Sequence, residues 1–348
     1  MYLDHNATTP MSPEVRQAFL RAVDEDWGNP SSAHTQGQRA AAALDRARDQ
    51  VAALGGWSPR AVSFTGGATE ANAWALGGRG ATERPNVVVS AVEHPSVLAW
   101  ATRVVGVDGQ GRVDLDALEA ALDDTVGVVS VMAANNETGV LQPVAEVAAL
   151  ARARGIPFHC DASQIPGRLP VALPADLVTL AGHKFGAPPG VGALIAEAPP
   201  APILRGGGQE RGRRAGTHNL PGIVAMGAAA ELACARGTMP STERDTLEAA
   251  AVALGGRVLS AGAPRLPNTC CVAFDVPGDL IVAALDLEGI AVSTGSACGS
   301  GAARASAVVA AMGLHSVPVR FSFGWDSHAA PAIAALERVL HRVELACG

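Results

Sequence analysis

The sequence predicts an α/β fold: a mostly parallel sheet covered by helices, followed by a smaller α+β unit. Three observations lead there. Short apolar, β-branched runs alternate with alanine-rich helical stretches over the first two thirds of the chain, the pattern of a parallel sheet with crossover helices. The chain has 348 residues, more than one ordinary core accommodates, and 48% of them are hydrophobic, enough for a sizeable interior. After about Gly237 the alternation gives way to a helix, a strand, a helix, a glycine-rich loop and another strand.

Element by element, seven strands are expected at 61–65, 86–90, 103–107, 126–133, 156–160, 176–181 and 191–196, each a run of apolar or β-branched residues. Helices are expected at 12–23, 36–54, 70–76, 115–122, 144–154 and 221–235, the last apolar enough to pack across the sheet. The small unit should contain a helix at 242–254, a strand at 270–275, a helix at 280–288 and a strand at 319–323. The segment 196–216, rich in Pro, Gly and Arg, reads as a surface loop, or as a loop reaching a neighbouring active site.

Composition narrows the function. A net charge of −7 without a basic stripe argues against nucleic-acid binding. The longest apolar run, around 126–134, is too short to span a bilayer, and the first residues carry no secretory pattern. The six cysteines form no C-x-x-C pair and no zinc-type cluster, so neither a metal site nor a disulfide framework is expected, and a cytoplasmic setting fits. The 26 basic residues include one lysine, Lys184. Arginine replaces lysine well on a solvated surface, but it does not replace a primary amine that must lose its proton and attack a carbonyl. The one lysine retained is therefore expected to be the one whose amine is needed.

Three motifs surround that expectation. Residues 65–70 (TGGATE) follow a strand and open a helix, a place where free backbone N–H groups, small residues and the Thr69 hydroxyl receive a phosphate; many strand-to-helix turns look similar without binding one. Asp161 stands at the carboxyl end of a strand, placed either to pair with a protonated ring nitrogen or to cap a helix. Lys184 comes just after the next strand, so the two side chains share one crevice. Arg320 lies within the apolar run VPVRFSF, where an unpaired charge is costly and a carboxylate partner is expected. Cys298 sits among Gly295, Gly299, Gly301 and serines, a setting for an exposed, reactive thiol and not for a packed core, whereas Cys160, Cys270 and Cys271 read as core residues.

In order, LDHNATTP, GNPSS, FTGGATEANAWAL, EHPSV, NNETGVLQP, HCDASQIPG, AGHK, RAGTHN, STGSAC and VRFSFG resemble the cysteine desulfurases of the class V aminotransferase group, over Leu3 to Gly324. The resemblance implies a fold type I enzyme that uses pyridoxal 5'-phosphate, with a large cofactor domain at 13–238 and a small domain made of 1–12 and 239–348. It implies that Lys184 carries the cofactor and moves the substrate's Cα proton, and that Asp161 pairs with the pyridine nitrogen. His94 would stack on the ring and relay protons, and Gln164 would bind the phenolic oxygen. Ala68, Thr69, His183 and Thr217 would hold the phosphate, Thr217 from the partner subunit of a homodimer. Asn136 and Arg320 would bind the carboxylate of L-cysteine. Cys298 would take the sulfur as a persulfide, leave alanine, and pass the sulfur to an acceptor protein. A selenocysteine lyase or another class V enzyme would keep Lys184 and Asp161 without needing Cys298, and a non-catalytic scaffold subunit would be expected to have lost one of the three. The acceptor is open between an iron–sulfur scaffold and more specialised proteins. The resemblance favours the latter, because 303–306 lacks the acidic-proline pair common there. Ala181 stands where a phosphate-binding serine is usual.

Overall fold

The computed structural model of the chain describes residues 1–78, 83–295 and 305–347, the last five by backbone alone. Along the described chain come α1 (Pro13–Glu25), α2 (Thr35–Ala53), β1 (Val62–Thr65), α3 (Ala68–Gly77), β2 (Asn86–Ser90), α4 (Pro95–Leu98) and β3 (Arg103–Val105). Then follow α5 (Leu115–Ala121), β4 (Val126–Ser130), α6 (Val144–Ala153), β5 (Phe158–Asp161), β6 (Leu177–Ala181), β7 (Gly192–Ile195) and α7 (Leu220–Arg236). The remainder is α8 (Thr242–Ala253), β8 (Arg257–Val258), β9 (Thr269–Ala273), α9 (Gly278–Leu287), α10 (Ala307–Ala311), β10 (Val319–Ser322) and α11 (Ala329–Cys347).

All seven strands expected in the first part form one sheet, in the order β1-β7-β6-β5-β4-β2-β3. Every pairing from β6 to β3 is parallel, and β7 alone runs against its two neighbours. The strands explain this arrangement. β2 (NVVVS) and β4 (VGVVS) are buried almost throughout, as strands covered on both faces must be. The helices begin where the sequence supplies caps. Ser12 accepts the Val15 N–H ahead of Pro13, Asp114 accepts from Asp116 and Ala117, and Asn219 accepts from Gly222. α7 packs along α1 and α2, and Gly237 (φ 66°) ends it.

The second sheet, β10-β9-β8, is antiparallel. Its hydrophobic cluster joins Leu247, Cys270, Ile281, Phe321 and Leu336 to Leu3 at the far end of the chain. The amino-terminal segment runs beside this sheet, with parallel bridges from Tyr2 to Ala291 and from Asp4 to Ser322.

The segment 196–216 is an irregular loop, but it is held down at one buried point. Glu210 is 3% exposed and Arg48 7%. The Glu210 carboxylate accepts from Arg48 Nη1 (2.8 Å) and Nη2 (3.0 Å), from the Phe64 N–H (3.0 Å), and shares a 2.7 Å contact with His218 Nε2. Glu210 (φ 47°) and Arg211 (φ 59°) occupy the left-handed region without being glycine, a conformation that costs on the order of 1–3 kcal/mol at each residue unless the surroundings impose it. The four contacts on one carboxylate impose it here.

Burial pushes the Glu210 pKa up. The His218 and Arg48 hydrogen bonds, the Arg48 charge and the Phe64 N–H outweigh burial and bring it down from 4.5 to about 2. A depressed carboxylate contributes stability that is present above its unfolded pKa and is lost as pH falls towards the folded value, here between about 4.5 and 2. Glu210→Ala should cost about 3–5 kcal/mol at neutral pH, because Arg48 is left buried without its partner. Urea unfolding at pH 7 and pH 3 tests this: the deficit of the variant should shrink at the lower pH, and an equal deficit at both overturns the assignment.

Candidate active site

The carboxyl ends of β1, β5 and β6 face the same way, because β5 and β6 are parallel neighbours and β7 reverses direction between β6 and β1. Over this edge lies a cavity of about 760 Å³. Its lining includes Ala68, Thr69, His94, Asn136, Asp161, Gln164, Ala181, His183, Lys184 and Arg320. Ten positions spread over some 250 residues of sequence therefore converge. Two expected residues do not join them: Thr217 is exposed and outside the lining of its own chain's cavity, and Cys298 lies outside the described residues.

At the β1 end, α3 begins with Gly67 as its cap, and no side chain caps it. The first N–H groups of a helix have no partner within it, so this end presents donors and a positive dipole to the cavity. Two glycines make the approach possible. Gly67 has φ 146°, and a Cβ on Gly192 in β7 would stand 2.7 Å from the Gly67 carbonyl carbon. Ala181 also lines this cavity, and its methyl group offers no donor.

At the end of β5, Asp161 is 7% exposed. Its Oδ1 accepts from the Ser163 N–H (2.9 Å) and hydroxyl (2.5 Å), and its Oδ2 accepts from Asn72 Nδ2 (2.8 Å). No helix follows it, so the capping alternative left open by the sequence becomes a short turn that fixes the carboxylate. Gln164 donates from Nε2 to the Asn6 carbonyl (3.1 Å), while its buried Oε1 has no partner.

Lys184 ends a 3-10 turn directly after β6. Its Nζ donates to the carbonyls of Asn6 (2.7 Å) and Ala7 (2.9 Å). Burial, then the charges of Arg320 and Arg168, lower its pKa from 10.5 to about 8, against the opposing pull of Asp161 and Asp4. Burial and the neighbouring Lys184 likewise bring His183 down to about 4. His94 opens the short α4 and accepts the Ser96 N–H at Nδ1 (3.1 Å). Burial lowers its pKa too, with Asp161 opposing and Lys184 assisting. Next to it, Glu93 is 2% exposed, accepts the Met132 N–H at Oε1 (2.6 Å) and has no partner at Oε2. Burial drives its pKa well above the usual carboxylate range, with a further push from Asp161.

Arg320 is 2% exposed and engaged by the protein. Nη2 pairs with Asp4 (2.5 Å), Nη1 donates to the carbonyls of Asn136 (2.8 Å) and Gly295 (3.1 Å), and Nε has no partner. The carboxylate partner that its apolar strand demands is thus supplied, within the chain, by Asp4. Sequence reasoning missed Asp4, Asn6, Asn72 and Glu93. The first two lie in the quoted LDHNATTP segment, whose length of undecorated polar residues was the available signal.

These residues fit pyridoxal phosphate: an uncapped helix start for an anion, a buried carboxylate for a ring nitrogen, an amine of lowered basicity for an aldehyde, and an unpartnered Gln164 oxygen beside them. Comparisons with known proteins agree. Residues 1–331 match the family model described as aminotransferase class-V. The chain is 45% identical to a cysteine desulfurase of Rhodobacter capsulatus, over 98% of this chain and 94% of that protein. It is 42% identical to the cysteine desulfurase NifS of Azotobacter vinelandii, over 90% and 84% respectively. Among solved structures, a NifS-like protein superposes with a TM-score of 0.90 at 30% identity, covering 99% of both chains. DndA from Streptomyces lividans gives 0.77 at 31% identity, over 92% of this chain and 99% of that one.

The lowered basicity of Lys184 has a direct readout. In protein stripped of cofactor, acetylation of Lys184, followed by peptide mass spectrometry, should accelerate with pH through about 8, because the neutral amine is the reactive form. Acceleration only through the ordinary value of 10.5 would show that the surroundings do not depress it.

Proposed function

The chain belongs to the class V aminotransferase family and is a pyridoxal-phosphate-dependent cysteine desulfurase; from that premise we propose which of its residues carry the reaction and where the sulfur goes. One observation carries the reading. Gly295, the last described residue before 296–304, and Ser306, the second after it, line the same cavity as Lys184, Asp161 and Arg320. The chain therefore enters and leaves the Cys298 segment at the cavity wall.

The cofactor, when bound, supplies a sink for the electrons left at the substrate's Cα. Ala68 and Thr69 at the start of α3, with His183 after β6, would hold its phosphate, Asp161 would pair with its ring nitrogen, Gln164 would bind its phenolic oxygen and His94 would stack on its ring. Asn136 and Arg320, whose Nε has no partner beside the pair that Nη2 makes with Asp4, orient the substrate carboxylate. Lys184, whose lowered pKa leaves a usable share of neutral amine near pH 7, takes the Cα proton and returns it. The Cys298 thiolate attacks the substrate sulfur. The Cβ–S bond breaks, an S–S bond forms on Cys298, and the thiol's proton accounts for the hydrogen gained at Cβ. Cysteine and enzyme thiol thus become alanine and enzyme persulfide, with no outside oxidant or reductant. The four other cysteines whose side chains are described support this choice. Cys160, Cys270 and Cys271 are fully buried, and burial raises their pKa values, that of Cys271 to about 12. Cys234 is exposed on α7, outside the cavity lining.

The reading extends to a sulfur-acceptor protein, a cytoplasmic setting and a homodimer in which Thr217 completes the partner's phosphate site. Its exposure outside its own cavity supports that sharing. Among the described residues no helix is long and apolar enough to cross a membrane. The division into 13–238 and 1–12 with 239–348 is supported by the two sheets and their separate hydrophobic clusters.

Incubation with cysteine tests the assignment. Cys298→Ser should bind cysteine and perturb the cofactor spectrum while sulfide and alanine fall to background. Wild-type yields from this variant would mean direct lyase chemistry. Lys184→Ala should lose the visible absorbance of bound cofactor, since no second lysine exists to replace it.

Subunit sharing has its own test. Mixed dimers of Lys184→Ala and Thr217→Ala chains should contain one intact site and retain one cofactor per dimer as tightly as wild type. If they hold cofactor no better than either parent dimer, the sites are not shared.

A further inference from the structure

Glu137 has no place in the chemistry above, yet it lines the cavity at 6% exposure and sits beside both described flanks of the Cys298 segment. Its backbone is pinned. The Glu137 and Thr138 N–H groups both donate to Asn135 Oδ1 (2.9 Å each), and Asn135 is itself anchored through Nδ2 to the Val92 carbonyl (3.1 Å). The side chain then reaches two places. On the far flank, the Ser306 hydroxyl donates to Glu137 Oε2, while Ser306 Oγ itself accepts the Val309 N–H (3.2 Å) and so caps α10. On the near flank, Gly295 packs against the stem and head of Glu137. A Cβ on Gly295 would lie 3.1 Å from Oε2 and 3.2 Å from Cβ and Cγ, and φ at this residue is 96°. Gly295 is further tied by its carbonyl to Arg320 (3.1 Å) and by its N–H to Ser293 Oγ (3.0 Å).

We propose that Glu137 is a positioning residue that fixes both ends of the segment carrying Cys298 and so sets where the thiol meets the substrate sulfur. The proposal rests on the reading that Cys298 receives the sulfur. The physical logic is one of end restraint. Holding Gly295 and Ser306 at the cavity wall fixes the two points between which the chain carrying Cys298 must run, and chain length then limits how far its thiol lies from the cavity. The cofactor-facing residues take no partner from Glu137: Lys184, Asp161 and Gln164 take theirs from Asn6, Ala7, Asn72 and Ser163.

The test separates positioning from folding and from the Cys298 reading. Glu137→Ala should keep wild-type cofactor affinity and a KM for cysteine within about twofold. Its kcat for alanine should fall about tenfold or more, the scale of one lost hydrogen bond to a carboxyl group. Its Cys298 should also react with iodoacetamide at a rate changed several-fold. Glu137→Gln, which keeps an acceptor for Ser306, should recover part of both effects. Ser306→Ala should act in the same direction, and the double variant should be no worse than the worse single one, as expected of two partners in one contact. Should Glu137→Ala not fold, Glu137→Gln and Ser306→Ala carry the same comparison. Wild-type kcat and alkylation in these variants, effects that multiply in the double variant, or a parallel loss of cofactor would each overturn the proposal. The alkylation rate reports the restraint even if Cys298→Ser forms alanine normally, a result that would remove the sulfur-transfer reading and not the restraint.

Discussion

One backbone oxygen holds the site together. The carbonyl of Asn6 accepts from Lys184 Nζ (2.7 Å) and from Gln164 Nε2 (3.1 Å), so the amine and the amide that face the cavity are both referenced to residue 6. Asn6 is 1% exposed, and its side chain is as occupied as its backbone. Nδ2 donates to the Asn136 carbonyl (3.1 Å) and to Thr269 Oγ1 (2.9 Å), and Oδ1 accepts from Asn268 Nδ2 (3.1 Å). The large sheet, the small sheet and the amino-terminal segment therefore meet at one residue. A typical hydrogen bond contributes only about 1 kcal/mol net, but stranding a buried partner costs about 1–3 kcal/mol, so the network is worth most as a constraint on alternatives.

The electrostatics of the site follow from that enclosure. Burial would make Lys184 a poor cation, and the two guanidinium groups of Arg320 and Arg168 add to the effect, whereas Asp161 and Asp4 stop it going further. The acids are managed in the opposite sense. Asp161 receives three donors, but Glu93, almost fully buried beside it, receives one. Burial, with a further push from Asp161, raises the Glu93 pKa and so favours its neutral form.

Much of this was legible in the sequence because it depends on local pattern. The β-branched runs marked all seven strands of the large sheet, and strand ends announced Asp161 and Lys184 as neighbours across one crevice. The scarcity of lysine singled out Lys184 before any geometry was known. What was illegible depends on contacts far apart in sequence. Nothing near Arg320 indicates that Asp4 neutralises it, nor does anything near Glu210 indicate that Arg48 and His218 hold it in a left-handed conformation. α4 and α10 are four and five residues long, too short to show a period. α11 is another matter: Ile333, Leu336, Val339 and Leu340 recur at helical spacing and mark a helix that the strand-by-strand reading passes over.

The reversed strand β7 has a role beyond completing the sheet. It lies between β1 and β6, hydrogen-bonded to both along four residue pairs on each side. Strands in a sheet stand about 4.7–4.9 Å apart, so the turn after β1 and the lysine after β6 are separated by roughly 9–10 Å of backbone ladder. That interval is a built-in gauge. Exchanging side chains around the rim, as at Ala181, alters which groups line the gap but leaves its width untouched. The architecture can therefore drift in surface chemistry while holding fixed the one dimension to which a bound molecule must be cut.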